Sequence, residues 1–193
     1  MSLHLFYLPD TQHLALFGGY EDGTIQLWVL DSHTGAFVLK WKTKPHLESV
    51  LSTEIWIDAE TRSLRLISTG ADARLALATI HLNGQGEGEV VELDTESTTH
   101  LLMHTTTLQT GKAGRACASF LPHSHKFVVG GWDGKARIYD FTNSPSSQQL
   151  TCTSVLRYHN ESIQVVRATS SLIALGSKDG RISLWNISSA ARP

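Results

Sequence analysis

The residues best equipped for chemistry are the histidines and a recurring set of aspartates. The chain has 10 histidines. His100 and His104 stand at the i, i+4 spacing of a helical metal site, and His123 and His125 stand two apart on an expected loop. A zinc site needs three or four convergent ligands, and no Cys-x-x-Cys or His-Glu-x-x-His accompanies these pairs. Residues 111–115 (Gly-Lys-Ala-Gly-Arg) are glycine-rich and basic, but lack the spacing and the Lys-Ser/Thr ending of a phosphate loop, and are read as a connector. No Gly-x-Ser-x-Gly elbow offers a serine nucleophile. No catalytic, cofactor or metal site is predicted, and the chain is not expected to be an enzyme.

The aspartates carry more information, because each sits in a copy of one phrase. Residues 19–28 read Gly-Tyr-Glu-Asp-Gly-Thr-Ile-Gln-Leu-Trp, 131–139 Gly-Trp-Asp-Gly-Lys-Ala-Arg-Ile-Tyr, and 176–185 Gly-Ser-Lys-Asp-Gly-Arg-Ile-Ser-Leu-Trp. A degenerate copy runs over 69–78, with Ala73 in place of the glycine and Ala78 in place of the tryptophan. The shared positions are Asp22, Asp72, Asp133 and Asp179, roughly 50 residues apart, the period of a propeller blade. They are read as structural turn acceptors for nearby backbone N–H groups.

The phrases resemble WD repeats, and that resemblance implies a buried set of His, Ser or Thr, Asp and Trp whose members satisfy one another's polar atoms. His159, Asp179 and Trp185 supply three members, but Leu175 occupies the expected hydroxyl position. His46, Ser68 and Asp72 supply three more, and Ala78 removes the tryptophan. Asp22 and Trp28 face Gly18 at the hydroxyl position. By this reading no set is complete.

Each phrase encodes a hairpin. Apolar runs at 14–17, 64–67, 127–129 and 172–175 precede the turn, and alternating apolar side chains follow it, as at Ile25 and Leu27 or Ile182 and Leu184. Asp-Gly between two such runs is a strong hairpin signal, since glycine supplies the positive φ that these turns require. Segments 3–8, 49–57, 116–122 and 162–168 are expected inner strands; 36–41, 89–93 and 151–157 are expected outer strands. Residues 9–10 form a Pro-Asp turn, and 83–89 and 143–149 read as solvated loops. The expected fold is all-β: a WD40-type β-propeller of about four blades over 1–193, with blades at 1–45, 46–98, 112–157 and 158–190. Only three strands are counted in the last blade. That count predicts a partial ring of a seven-bladed propeller with a shortened start at Met1.

Composition narrows the partners. A net charge of -2 argues against a broad phosphate-binding surface, so direct nucleic-acid contact is not expected. No run of about 18 apolar residues is present to span a membrane. Cys117 and Cys152 read as free thiols of a reducing compartment. Recognition of other proteins is the remaining chemistry. The residue before each turn aspartate should face solvent on one rim of the ring: Glu21, Ala71, Trp132 and Lys178. An exposed tryptophan is a favoured interface anchor, which makes Trp132 the leading protein-binding candidate, with Tyr20, Lys178 and Arg181 as companions.

The blade phrases at 19–28, 130–139 and 176–185, in this order and spacing, resemble the ASTRA-associated WD-repeat protein family, which is similar to the animal G-protein β-subunit-like protein 1. The resemblance implies a nuclear, non-catalytic scaffold subunit of the ASTRA complex, linked to chromatin remodelling. It further implies a part in maturation of the phosphatidylinositol-3-kinase-like kinases through the Tel-Tti cochaperone. The alternative is a histone-tail or other peptide-reading WD-repeat module, which acidic residues grouped on one rim would favour. A hydrolytic propeller is a more distant reading and would need a His–carboxylate pair converging in the central channel.

Overall fold

Sixteen strands form four antiparallel sheets in a computed structural model that describes residues 2–8, 13–58, 63–82, 89–92, 100–144 and 147–187. The first sheet orders β1 (Ser2–Tyr7), β2 (Leu14–Gly19), β3 (Ile25–Leu30) and β4 (Phe37–Thr43) as consecutive neighbours. The second holds β5 (Val50–Asp58), β6 (Ser63–Gly70), β7 (Arg74–Leu82), β8 (Glu89–Glu92) and β9 (His100–Gln109), in the order β5-β6-β7-β9-β8. The third comprises β10 (Arg115–Leu121), β11 (Lys126–Gly131), β12 (Lys135–Ser144) and β13 (Ser147–Arg157). The fourth has three strands among the described residues: β14 (Ile163–Ala168), β15 (Leu172–Ser177) and β16 (Ile182–Asn186).

The inner strands β1, β5, β10 and β14 neighbour one another in succession, so the sheets stand side by side as blades around a common inner edge. Alternation puts one side-chain set of each strand against the adjoining sheet. Phe17, Leu27 and Trp41 pack with Leu64, Leu66 and Ile80 between the first and second sheets. Ile67 and Leu77 pack with Phe127, Val129 and Phe141 between the second and third. Val128 and Ile138 pack with Ile163, Ile173 and Leu175 between the third and fourth. Each interface is a separate strip of core, as expected for blades that contact only their neighbours.

Three local expectations change. The strand paired with β7 is β9, whose run Thr105-Thr106-Thr107 suits an extended backbone, and the expected outer strand at 89–93 contributes β8 beyond it. His100 and His104 therefore lie on a strand, not at helical spacing. The stretch 143–149 is not wholly a loop, because β12 and β13 stay paired out to Ser144 and Ser147. The Pro-Asp turn at 9–10 and the loop at 83–88 lie outside the described residues.

Candidate functional site

The four turns between second and third strands, and the loops that lead into β5, β10 and β14, meet on one rim. Backbone bonds join them: Ala71 N–H to Ser49 O at 3.0 Å, Trp132 N–H to Gly114 O at 3.0 Å, and Lys178 N–H to Ser162 O at 2.9 Å. Gly23, Gly134 and Gly180 adopt positive φ in these turns, and Ala73 is held at φ 60 where its copy lacks the glycine.

Each turn aspartate closes its own turn on the backbone. Asp22 Oδ1 accepts from Thr24 N–H at 3.0 Å and from the Thr24 hydroxyl at 2.7 Å, and these bonds hold its carboxyl below the usual range. Asp72, Asp133 and Asp179 accept from the N–H of Arg74, Lys135 and Arg181 at 3.0, 3.3 and 3.0 Å. Their further partners differ from blade to blade.

In the second sheet, His46 donates Nδ1–H to Asp72 Oδ1 at 3.2 Å, and its Nε2 accepts from the Ser68 hydroxyl at 2.8 Å. Leu47 N–H donates to Asp72 Oδ2 at 2.7 Å. Burial pushes the imidazole toward its neutral form, against the pull of Asp72. Burial would raise the Asp72 pKa, but the Leu47 and Arg74 N–H groups and His46 outweigh it and leave the carboxyl lowered. The order Ser68–His46–Asp72 mimics a nucleophile, base and orienting acid. Ser68 and His46 are both fully buried, so no substrate reaches the hydroxyl, and the set serves to satisfy its own polar atoms. Gly70 makes room for it, since a Cβ there would stand 2.4 Å from both His46 Nδ1 and Asp72 Oδ1.

The fourth sheet corrects the expectation drawn from Leu175. His159 donates Nδ1–H to Asp179 Oδ2 at 3.1 Å, and its Nε2 meets the Ser183 hydroxyl at 2.9 Å. Trp185 Nε1–H donates to that same oxygen at 2.9 Å. The set of four is complete, with Ser183 as the hydroxyl member. In the first sheet the corresponding Trp28 Nε1 is buried without a hydrogen-bond partner among the described residues, in keeping with Gly18 at the hydroxyl position.

Around Asp133 arginines do the work of histidine. Arg137 grips the carboxylate with both terminal nitrogens, Nη1 to Oδ1 at 3.1 Å and Nη2 to Oδ2 at 2.6 Å. Arg115 Nη1 lies 3.5 Å from Oδ1. Burial would raise the Asp133 pKa; the Arg137 fork and Arg115 outweigh it and lower the pKa instead. Arg115 was expected on a connector, yet it is fully buried and reaches back to the previous blade. Its Nε and Nη2 donate to the Thr110 hydroxyl and carbonyl at 2.8 and 2.6 Å, and that hydroxyl donates to Ala73 O at 2.6 Å. These hydrogen bonds, closed by the Arg115–Asp133 ion pair, link the second turn to the third. The Arg115 role has no local signature, since it lies 18 residues before Asp133. Arg137 stands only four residues after Asp133, a spacing the sequence reading did not use.

The rim candidates fall on three sheets: Tyr20 on the first, Trp132 on the third, Lys178 and Arg181 on the fourth. Lys178 and Arg181 are exposed, and Tyr20 is half-buried with its ring folded back beside Gly18. Trp132 is 47% exposed. One part of its ring lies over Gly114, so closely that a Cβ there would come within 2.8–2.9 Å of ring carbons. The rest faces solvent. Glu21 is exposed and Ala71 half-buried. Among the described residues, no group of three His, Cys, Asp or Glu side chains is placed to hold a metal ion. His123 and His125 are both exposed at the β10–β11 turn, where His125 packs edge-on to Trp56 and Phe141. No helix is long and apolar enough to cross a membrane, among the described residues.

Blade-like sheets, rim turns and their buried bonding sets define a WD-repeat protein. The family model for the WD domain, G-beta repeat, matches residues 104–140, from β9 through the third strand of the third sheet. The chain is homologous to ASTRA-associated protein 1: it is 30% identical over 198 residues to that of Schizosaccharomyces japonicus, covering 97% of this chain and 46% of the relative. ASTRA-associated protein 1 of Schizosaccharomyces pombe is 29% identical, over 93% of this chain and 46% of the relative. The mouse guanine nucleotide-binding protein subunit beta-like protein 1 is 26% identical, over 97% of this chain and 48% of its own length. The chain spans about half the length of the curated relatives it matches.

Proposed function

We propose that this chain acts as a non-catalytic WD-repeat scaffold subunit of the ASTRA complex in the nucleus. Its work there would be linked to chromatin remodelling and to maturation of phosphatidylinositol-3-kinase-like kinases. Its partners would be other ASTRA subunits, the Tel-Tti cochaperone and those kinases. Homology to ASTRA-associated protein 1 along nearly the whole chain carries this reading. The rim supports it physically, since a half-exposed tryptophan over a glycine shelf offers an aromatic anchor. Leu3, Leu5 and Tyr7 on the first sheet, and Ile182 and Leu184 on the fourth, leave apolar side chains open. Such faces suit packing against further blades of a seven-bladed ring.

Affinity purification of the tagged chain from its own cells, with mass spectrometry of the bound proteins, tests the proposal. Recovery of ASTRA subunits and Tel-Tti components is the expected result. Recovery of general chaperones without them would overturn it.

A further inference from the structure

The inner strands of all four sheets line an open cavity of about 300 Å3. One of its walls carries Glu54, on β5, whose side chain is only 22% exposed. Burial raises the Glu54 pKa, although His4 and Arg167 pull the other way. A carboxylate in such a place is stabilised by several N–H donors or by a guanidinium fork. Glu54 has neither. Its one charged contact among the described residues is Arg167 Nη1, 3.4 Å from Oε1. That nitrogen also donates to the Val166 carbonyl at 2.9 Å, and the Arg167 side chain is 72% exposed. A long, single-pronged contact to a solvated guanidinium contributes little. The acid itself is well anchored: the neighbouring Thr53 bonds to the first sheet through His4 Nε2 at 2.7 Å and the Ser2 hydroxyl at 2.7 Å.

We propose that Glu54 is a recognition carboxylate for the arginine side chain of a partner segment inserted into this cavity, and that Arg167 is the internal occupant the guest displaces. The resident cation is already a guanidinium, which fixes the chemistry of the guest. An incoming arginine gains the two-pronged geometry that Arg167, held by its own backbone, does not reach. Cys117, which lines the same cavity from β10, stays a neutral thiol and leaves Glu54 as the acceptor there. This inference rests on the reading of the chain as a protein-binding module and adds the chemistry of one contact.

Calorimetric titration of the full chain with a blocked Gly/Ser hexapeptide bearing one central arginine tests it, with the citrulline peptide as the neutral match. The arginine peptide should bind and the citrulline peptide should not. Glu54→Gln should weaken binding at least tenfold, whereas Arg167→Gln should strengthen it several-fold. A gain of affinity cannot come from misfolding, so Arg167→Gln keeps the test decisive even if Glu54→Gln destabilises the chain. Equal binding of both peptides, no binding by wild type and Arg167→Gln alike, or weaker binding by Arg167→Gln would each overturn the proposal. If purification recovers the assembly while the peptide fails, this inference alone is lost. The converse result would leave the cavity site standing and remove the ASTRA reading.

Discussion

Ser183 lies directly across from Leu175 in the antiparallel pair of β15 and β16. The hydroxyl needed beside His159 has therefore moved one strand across the sheet at the same level, where it meets His159 Nε2 and Trp185 Nε1 at 2.9 Å each. Ser183→Ala leaves both nitrogens without their partner. The expected cost is about 1–2 kcal/mol, the range for a partly buried polar group left unmade. Trp185→Phe made in the Ser183→Ala background should cost less than the same change in wild type, because the bond is already gone. Urea unfolding of the two single variants and the double variant measures this coupling, and strict additivity would show that the bond contributes nothing.

Ala73 is held at φ 60, where a Cβ crowds the backbone and only glycine is at ease. Left-handed strain of roughly 1–2 kcal/mol is partly offset by the greater entropy that glycine loses on folding. Ala73→Gly should therefore stabilise the chain by about 0.5–1 kcal/mol and raise its thermal midpoint by a few degrees. A lower midpoint would mean that packing of the buried Ala73 methyl outweighs the strain.

His46 makes the fold acid-sensitive. Its pKa is lowered from 6.5 by burial, with Arg74 in the same sense and Asp72 opposing. The unfolded chain thus binds a proton more readily than the folded one. The sign follows: the folded state keeps its full stability above pH 6.5 and loses it progressively as the pH falls below that value. His46→Gln should be less stable at pH 8 yet show a shallower loss on acidification, read from urea midpoints between about pH 8 and 5. An unchanged slope would place the acid sensitivity elsewhere.

The two thiols should react very differently. Burial pushes Cys117 up to about 12, whereas Cys152 is exposed on β13. Iodoacetamide at neutral pH should label Cys152 in the native chain, and Cys117 only when denaturant unfolds the inner strand of the third sheet. Mass spectrometry of the labelled peptides reads both rates, and rapid native labelling of Cys117 would show that this strand opens readily.

Local chemistry explains which parts of this architecture could be read from the sequence. A turn aspartate bonds to an N–H two residues on, and Asp-Gly between apolar runs already contains that geometry at Asp22, Asp133 and Asp179. The groups that complete these sets come from other segments: His46 and Asp72 are 26 residues apart, and Arg115 reaches Asp133 from the start of the inner strand β10. The role of Ser183 is hidden from sequence offset, which tracks one strand, while the requirement for a hydroxyl is met anywhere within reach of the imidazole. Arg65 shows the same limit. It lies fully buried in the second core strip with its guanidinium 4.3 Å from the Phe141 ring centre, a cation–π contact with no signature in sequence spacing.

Trp132 rests on Gly114, and the two residues offer a pair of tests that separate packing from recognition. Trp132→Ala removes a half-exposed ring and should cost about 1–2 kcal/mol, well short of the roughly 3–5 of a fully buried aromatic. Gly114→Ala keeps the tryptophan but drives a methyl into its ring, which must tilt away. If the rim anchors a partner, both variants should lose capture at least tenfold in quantitative pull-down while remaining folded, as expected for a hot spot worth about 2 kcal/mol or more. The Gly114→Ala chain should also show shifted tryptophan emission, which verifies that the ring has moved. Full capture by both variants, with that emission shift present, would reduce Trp132 to blade packing and move the contact surface to another part of the ring.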